Sequence, residues 1–227
     1  MKSRFAVSKM KRLAFSLTAA VVLSGTLAAC VPLVLGGAVA GGSLLAIDRR
    51  TSGAQLEDEG IELRATSRVR GTFGDRVHVN LTSYNRQVLL TGEVPTAQDK
   101  QQLGQLMLGV DNVSSVVNEL AVMSPSSLSQ RSNDAFVTGR IKAMMLDAQD
   151  LQSNAFKVVT ERGTVYLMGR VTQREADRAT SVVRATPGVL KVIRVFEVIS
   201  EQELARLTPA SRPPPAPVQP VQPAIAN

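Results

Sequence analysis

The chain carries few residues that could perform covalent or metal chemistry. Among its 227 residues there is one cysteine, Cys30, and one histidine, His78. One thiol excludes an internal disulfide and a multi-thiolate zinc site. His78 lies between Val77 and Val79, where strand alternation predicts a solvated side chain. Because the sequence also contains no Gly-x-Ser-x-Gly, P-loop or His-Glu-x-x-His motif, we predict no enzyme activity, no cofactor and no metal site.

Cys30 ends a segment that is typical of an export signal. Residues 2–12 are basic, residues 13–29 are mostly apolar, and Leu27-Ala28-Ala29 directly precede Cys30. This arrangement resembles the lipobox of bacterial lipoproteins, which implies cleavage after residue 29 and acyl chains on Cys30 that hold the chain at a membrane. Val31 follows instead of Asp, and the sorting rule that accompanies this resemblance then implies the outer membrane. A retained signal-anchor helix with an incidental thiol is the alternative.

The strong positive charge belongs mostly to this N-terminal segment. The whole chain has 26 Lys and Arg against 19 Asp and Glu, a formal charge of +7. Residues 1–29 hold five of the bases and no acid, so the remainder carries only +2 and does not favour nucleic acid as a partner. In residues 30–55, Pro32 and two Gly-Gly pairs interrupt an apolar run and predict a flexible tether, with a second spanning segment as the alternative.

Two copies of one unit follow the tether. Val88-Leu-Leu-Thr-Gly-Glu-Val94 recurs as Val165-Tyr-Leu-Met-Gly-Arg-Val171, and Gly109-Val-Asp-Asn-Val113 recurs as Gly188-Val-Leu-Lys-Val192. In both copies the hydrophobic periodicity predicts the order αββαβ. We predict domains at residues 56–123 and 131–200, a linker at 124–130, and a Pro-rich disordered tail at 201–227.

The predicted helices have recognisable starts. The first helix of each copy is expected from Glu57 to about Arg70 and from about Asp134 to Ala148. The second helices begin at Thr96 and Thr172, each followed three residues later by an acid, which is typical of a capping box. We interpret the acids Glu57-Asp58-Glu59 as residues that favour the helix macrodipole, not as catalytic groups.

These units resemble the BON domain, because both have the order αββαβ, Val-x-Leu-x-Gly-x-Val on the second strand and Gly-Val-x-x-Val before the third. The resemblance covers roughly residues 30–200, and Asp48-Arg49-Arg50 and Asn133-Asp134 contribute to it. It implies an α+β fold of two tandem domains, each a small mixed three-stranded sheet packed by two helices. It also implies a non-catalytic envelope protein that supports outer-membrane integrity, with a phospholipid-binding surface on the second domain. Phe136 departs from the pattern, since Trp is expected there.

The two domains differ in charge. Residues 56–123 contain nine acids and six bases, whereas residues 131–200 contain seven acids and eleven bases, so the net charges are −3 and +4. Only the second domain is therefore suited to an anionic membrane surface. A solvated basic face without a partner is the alternative.

The first helix of the second domain contains the candidate membrane contact. Phe136 is predicted to lie off the core stripe, and Arg140 and Lys142 border that stripe on its two flanks. An aromatic ring beside bases suits the headgroup boundary, so we predict Phe136, Arg140 and Lys142 as phospholipid-binding residues. The alternative places Phe136 at the domain junction. The predicted core stripe comprises Val137, Ile141, Met144, Met145 and Ala148.

Two functions remain open at this point. The first is a lipid-anchored protein in the inner leaflet of the outer membrane that binds anionic phospholipid from the periplasmic side. The second is a periplasmic scaffold that binds an envelope protein, such as the outer-membrane protein assembly machinery. The Pro-rich tail is a disordered terminus or, alternatively, an extended ligand segment.

Overall fold

The computed structural model describes residues 48–207, which contain both repeated units. The predicted signal segment, Cys30, the tether up to residue 47 and the tail beyond residue 207 lie outside the described residues. Within residues 48–207, no helix combines the length and the apolar character needed to cross a bilayer.

The first domain follows the predicted order, with one broken strand. Its elements are α1 (Ser52–Phe73), β1 (His78–Tyr84), β2 (Gln87–Val94), α2 (Ala97–Leu108), β3 (Ser115–Asn118) and β4 (Ala121–Val122). At the interruption of the third strand, Asn118 Oδ1 accepts from the amide of Leu120, whose side chain is buried in the core. β3 and β4 therefore pair separately with β2.

The second domain repeats this arrangement with an unbroken third strand. Its elements are α3 (Leu128–Asp147), β5 (Lys157–Glu161), β6 (Thr164–Val171), α4 (Gln173–Arg184) and β7 (Lys191–Val198), followed by α5 (Glu201–Leu207). In both domains the first two strands are antiparallel and the third is parallel to the second. The predicted α+β fold with mixed sheets is confirmed.

Buried acids on α1 and α3 stabilise the two hairpin turns. Asn85 and Arg86 have positive φ in the first turn, and Asp58 accepts a hydrogen bond from each of their amides. Asp134 does the same for Arg162 and Gly163 in the second turn. Because α1 begins at Ser52, Asp58 lies beyond its first turn and is buried, so the macrodipole interpretation is wrong for this residue.

Each sheet is covered on both faces. Helices cover one face of each sheet and form the two domain cores, one built around Ile61, Leu90 and Leu103 and the other around Ile141, Leu167 and Val183. The opposite faces of the two sheets pack against each other and form a third core. Its buried residues are Tyr84, Leu89, Tyr166, Met168 and Val195.

Two arginines before α1 connect to both domains. Arg49 donates two hydrogen bonds to Glu175 at the start of α4, at 2.8 and 2.6 Å, and one to the carbonyl of Arg170. Arg50 forms an ion pair with Asp58 at 2.7 Å, and its guanidinium lies 4.4 Å from the ring centre of Tyr84. The segment that leaves the predicted tether is therefore attached at the domain junction.

Three helix boundaries differ from the expectation, and a cap explains each. Thr51 caps α1, which begins at Ser52, five residues before the expected start at Glu57. A Ser127 capping box starts α3 inside the segment assigned to the linker. Helix α5 lies in the segment assigned to the disordered tail. Its start is capped by Ser200, and Glu203 forms an ion pair with Arg170.

Candidate membrane-contact site

Helix α3 exposes one aromatic residue of the second domain. Three members of the predicted core stripe, Val137, Ile141 and Met145, are buried, as the helical periodicity predicted. Phe136, next to Val137, is 62% exposed and contributes to none of the three cores. The alternative that places Phe136 at the domain junction is wrong, because the junction core is built by the sheets.

Arg140 holds Phe136 in place. Its guanidinium carbon lies 4.6 Å from the centre of the Phe136 ring, a cation–π geometry. Its Nη1 also donates a 2.8 Å hydrogen bond to the carbonyl of Pro187, in the turn between α4 and β7. The ring and the charge are therefore presented together at one end of the domain.

Leu190, three residues after Pro187, is a second exposed apolar residue of this domain and was not predicted from the sequence. It is 82% exposed, and it lines a shallow groove together with Gly188 and with Asn133, one helical turn before Phe136. Phe136, Arg140, Pro187 and Leu190 together are called the Phe136 surface below. The sequence signal was the pair Leu190-Lys191 in the repeated Gly-Val motif, where the first copy has Asp111-Asn112.

Lys142 does not join the Phe136 surface. It lies on the other flank of α3 and lines a separate cleft of about 250 Å³ with Leu146 and Phe156. The structure therefore brings together two of the three predicted residues, Phe136 and Arg140.

Unpaired bases add positive charge to this domain. Arg184 and Lys191 are exposed on either side of the Pro187 turn, and Lys142 is exposed on α3. Within residues 48–207 none of these three forms an ion pair, whereas Arg162, Arg170, Arg178 and Arg194 each have an acidic partner. The net charge of +4 therefore includes bases that are available to an anionic partner.

The first domain lacks the same surface. Asp58 and Asp134 occupy equivalent positions, so Gly60 stands where the second domain has Phe136. Arg64 is equivalent to Arg140, but it donates to Glu57 at 2.6 Å. Among the described residues, only the second domain thus has an exposed aromatic residue next to an arginine without an acidic partner.

His78 differs from its expected environment. Its Nδ1 lies 2.8 Å from a carboxylate oxygen of the buried Glu93, and its side chain is largely covered. The interpretation of His78 as a solvated strand residue is therefore wrong. Among residues 48–207, the group with the geometry to hold a metal ion comprises His78, Glu93 and Glu161.

The family comparison agrees with the duplicated unit. The family described as BON domain matches residues 62–124 and 133–200. Among solved structures, the C-terminal domain of CdsD, a structural protein of the Type III secretion system of Chlamydia trachomatis, is 12% identical with a TM-score of 0.27. That match covers 61% of this chain and 96% of that one.

Three curated relatives cover much of the chain. Outer membrane lipoprotein DolP of Haemophilus influenzae is 37% identical over 85% of this chain and 98% of its own length. The 21 kDa hemolysin of Actinobacillus pleuropneumoniae is 31% identical over 67% of this chain and 80% of its own. Osmotically-inducible protein Y of Escherichia coli is 30% identical over 56% of this chain and 67% of its own length. The chain therefore belongs to the BON-domain family, as a dual-BON protein of the DolP outer-membrane lipoprotein type.

Proposed function

We propose that this protein is a non-catalytic lipoprotein, anchored through Cys30 in the outer membrane, that binds anionic phospholipid through its second BON domain. It faces the periplasm and supports the integrity of the outer membrane. Its likeness to a relative named outer membrane lipoprotein DolP and the Leu27-Ala28-Ala29-Cys30 motif support the localisation. None of the three curated relatives reported above is named as an enzyme.

The Phe136 surface carries the proposal. Phe136 and Leu190 are exposed apolar residues, and burial of such a side chain contributes roughly 1.5–3 kcal/mol when it is complete. Arg184 and Lys191 are exposed on either side of the Pro187 turn, to which Arg140 donates, and each base near an anionic membrane contributes about 1 kcal/mol. These contributions become substantial once the lipid anchor holds the domain at the membrane.

Vesicle binding by a chain that begins at residue 31 tests this function. We expect binding to vesicles that contain anionic phospholipid and weak binding to zwitterionic vesicles. Phe136→Ala removes the ring and should weaken binding about tenfold, which corresponds to about 1.4 kcal/mol. Arg140→Glu should weaken it in a salt-dependent manner, because exposed charges are screened beyond about 8–10 Å.

Leu63→Ala is the matched control. Leu63 is an apolar residue on α1 of the acidic first domain and is 73% exposed, more than Phe136, so its removal should leave vesicle binding unchanged. Equal binding by Phe136→Ala and the unmodified chain, in folded protein, would contradict the proposal.

A scaffold for an envelope protein, such as the outer-membrane protein assembly machinery, is the second candidate. Leu56 and Leu63 favour it, because they are exposed on α1 of a domain whose net charge does not suit an anionic membrane. Under this function, Leu63→Asp should impair envelope integrity in cells while vesicle binding is retained.

A further inference from the structure

The junction between the two domains brings together one imidazole and two carboxylates. His78 and Glu93 face each other across the β1–β2 pair, and Glu161 ends β5 of the other domain. One ligand atom from each side chain lies within 4.8 Å of the other two. This cluster is separate from the Phe136 surface, so its role is independent of the function proposed above.

Glu161 is a buried carboxylate without a cation of its own. Only 9% of the residue is exposed, and Oε2 accepts a 2.8 Å hydrogen bond from the neutral amide of Asn80. No Lys or Arg among residues 48–207 forms an ion pair with it.

Glu93 is better compensated. Arg162 donates to Oε1 at 2.6 Å and His78 Nδ1 lies 2.8 Å from Oε2. Glu93 is therefore a carboxylate anchored in place, with Glu161 facing it uncompensated.

The fold itself does not require this cluster. Gly92 and Gly169 occupy the same position of the repeated motif. A Cβ on Gly92 would collide with the carbonyl of His78, and a Cβ on Gly169 with the carbonyl of Ala155, so His78 and Ala155 occupy equivalent positions in the two domains. Glu93 follows Gly92, whereas Arg170 follows Gly169. The second domain thus forms its antiparallel strand pair with an alanine just before β5 and an arginine on β6 at these positions.

We propose that His78, Glu93 and Glu161 bind one divalent transition-metal cation of the zinc type across the domain junction. Imidazole nitrogen and carboxylate oxygen are ordinary zinc ligands, whereas Ca²⁺ and Mg²⁺ prefer oxygen-only sites. Ligand atoms of one tetrahedral zinc lie about 3.3 Å apart, so the side chains must close by up to about 1.5 Å. Rotation of the Glu161 side chain supplies a movement of this size.

The site would couple the two domains. His78 and Glu93 belong to the first domain and Glu161 to the second, so a bound ion adds a cross-domain link beside the Arg162–Glu93 ion pair. Zinc also supplies the positive charge that Glu161 lacks. Since the ligands must be deprotonated, binding weakens as the pH falls.

Calorimetric titration of the full chain with ZnCl₂, in neutral detergent micelles after chelation and removal of metal, tests the site. We expect one zinc ion per chain. His78→Ala and Glu161→Gln should each weaken the zinc affinity at least about tenfold, since loss of even a supporting group around a metal lowers the affinity by this factor. Glu62→Gln is the matched control. It removes another cross-domain carboxylate, which pairs with Lys157 at 2.8 Å, and should leave zinc binding unchanged.

Thermal unfolding without metal separates ligand loss from misfolding. Glu161→Gln keeps an acceptor for Asn80 and removes an uncompensated charge, so its midpoint should not fall below that of the unmodified chain at pH 7.5. Added zinc should raise the midpoint of the unmodified chain and not that of Glu161→Gln. The proposal is overturned by the absence of saturable zinc binding, by unchanged binding in Glu161→Gln, or by an equal loss in Glu62→Gln.

Discussion

Replacement of Arg49 by alanine tests whether the segment before α1 stabilises the domain pair. The two terminal guanidinium nitrogens of Arg49, Nη1 and Nη2, donate to the two carboxylate oxygens of Glu175, at 2.8 and 2.6 Å. The Arg49 and Glu175 side chains are only 3% and 5% exposed. Arg49→Ala therefore leaves the Glu175 carboxylate buried without its cation.

The expected loss follows from this burial. Removal of one partner of a buried ion pair typically costs about 3–5 kcal/mol. Glu175 keeps its hydrogen bonds from the amide and hydroxyl of Thr172, so we expect the lower end, about 3 kcal/mol. A loss of this size is a large fraction of the roughly 5–15 kcal/mol that stabilises a typical domain.

The loss should depend on pH. Burial opposes ionisation of Glu175, but the hydrogen bonds from Arg49 and Thr172 outweigh it and hold its pKa below the ordinary value of 4.5. A carboxyl group with a lowered folded-state pKa stabilises the fold above its unfolded pKa, and this contribution is lost as the pH falls through the folded value. The difference between wild type and Arg49→Ala should therefore shrink below about pH 4.5.

Urea unfolding followed by tyrosine fluorescence measures this difference. The chain has two tyrosines and no tryptophan, and Tyr84 and Tyr166 both lie in the core between the sheets. Arg178→Ala is the control, because Arg178 pairs with Asp150 at the surface and such pairs contribute at most about 1 kcal/mol. The reasoning is refuted if Arg49→Ala destabilises the protein no more than Arg178→Ala does at pH 7. It is also refuted if the loss caused by Arg49→Ala is as large at pH 3 as at pH 7.

Three further predictions concern single residues. Gly92→Ala should prevent stable folding, because the φ of Gly92 is +106° and the added Cβ would strike the neighbouring strand. Gly139→Ala is its control: Gly139 faces open space on α3, so this change should be neutral or should stabilise by up to about 1 kcal/mol in urea unfolding. Asp134→Ala should cost about 2–4 kcal/mol and speed hydrogen exchange in the second hairpin turn, since two amides lose their acceptor. Cys30→Ser should leave an uncleaved or soluble species in cell fractionation, and a Cys30→Ser chain that is cleaved and still remains with the membrane at high salt would contradict lipidation.

Local sequence patterns determined much of the fold. The duplicated Val-x-Leu-x-Gly-x-Val and Gly-Val-x-x-Val motifs predicted two αββαβ units. The prediction that Thr96 and Thr172 cap the second helices was correct, because a cap depends only on residues three positions apart. Helical periodicity also placed Phe136 outside the core, since a residue's position around a helix follows from its number alone. These features depend on contacts within one element or between neighbouring elements.

Only the tertiary structure decided how the two domains meet. The strands β2 and β6 are buried on both faces, and their apolar residues gave no sign whether a helix or a second sheet covers the outer face. The same packing brought Arg49 to Glu175, 126 residues away, and His78 to Glu161. Periodicity reports which face of an element is covered, but the identity of the covering group depends on long-range packing. For this reason His78 looked solvated in the sequence and proved to lie in a buried cross-domain cluster.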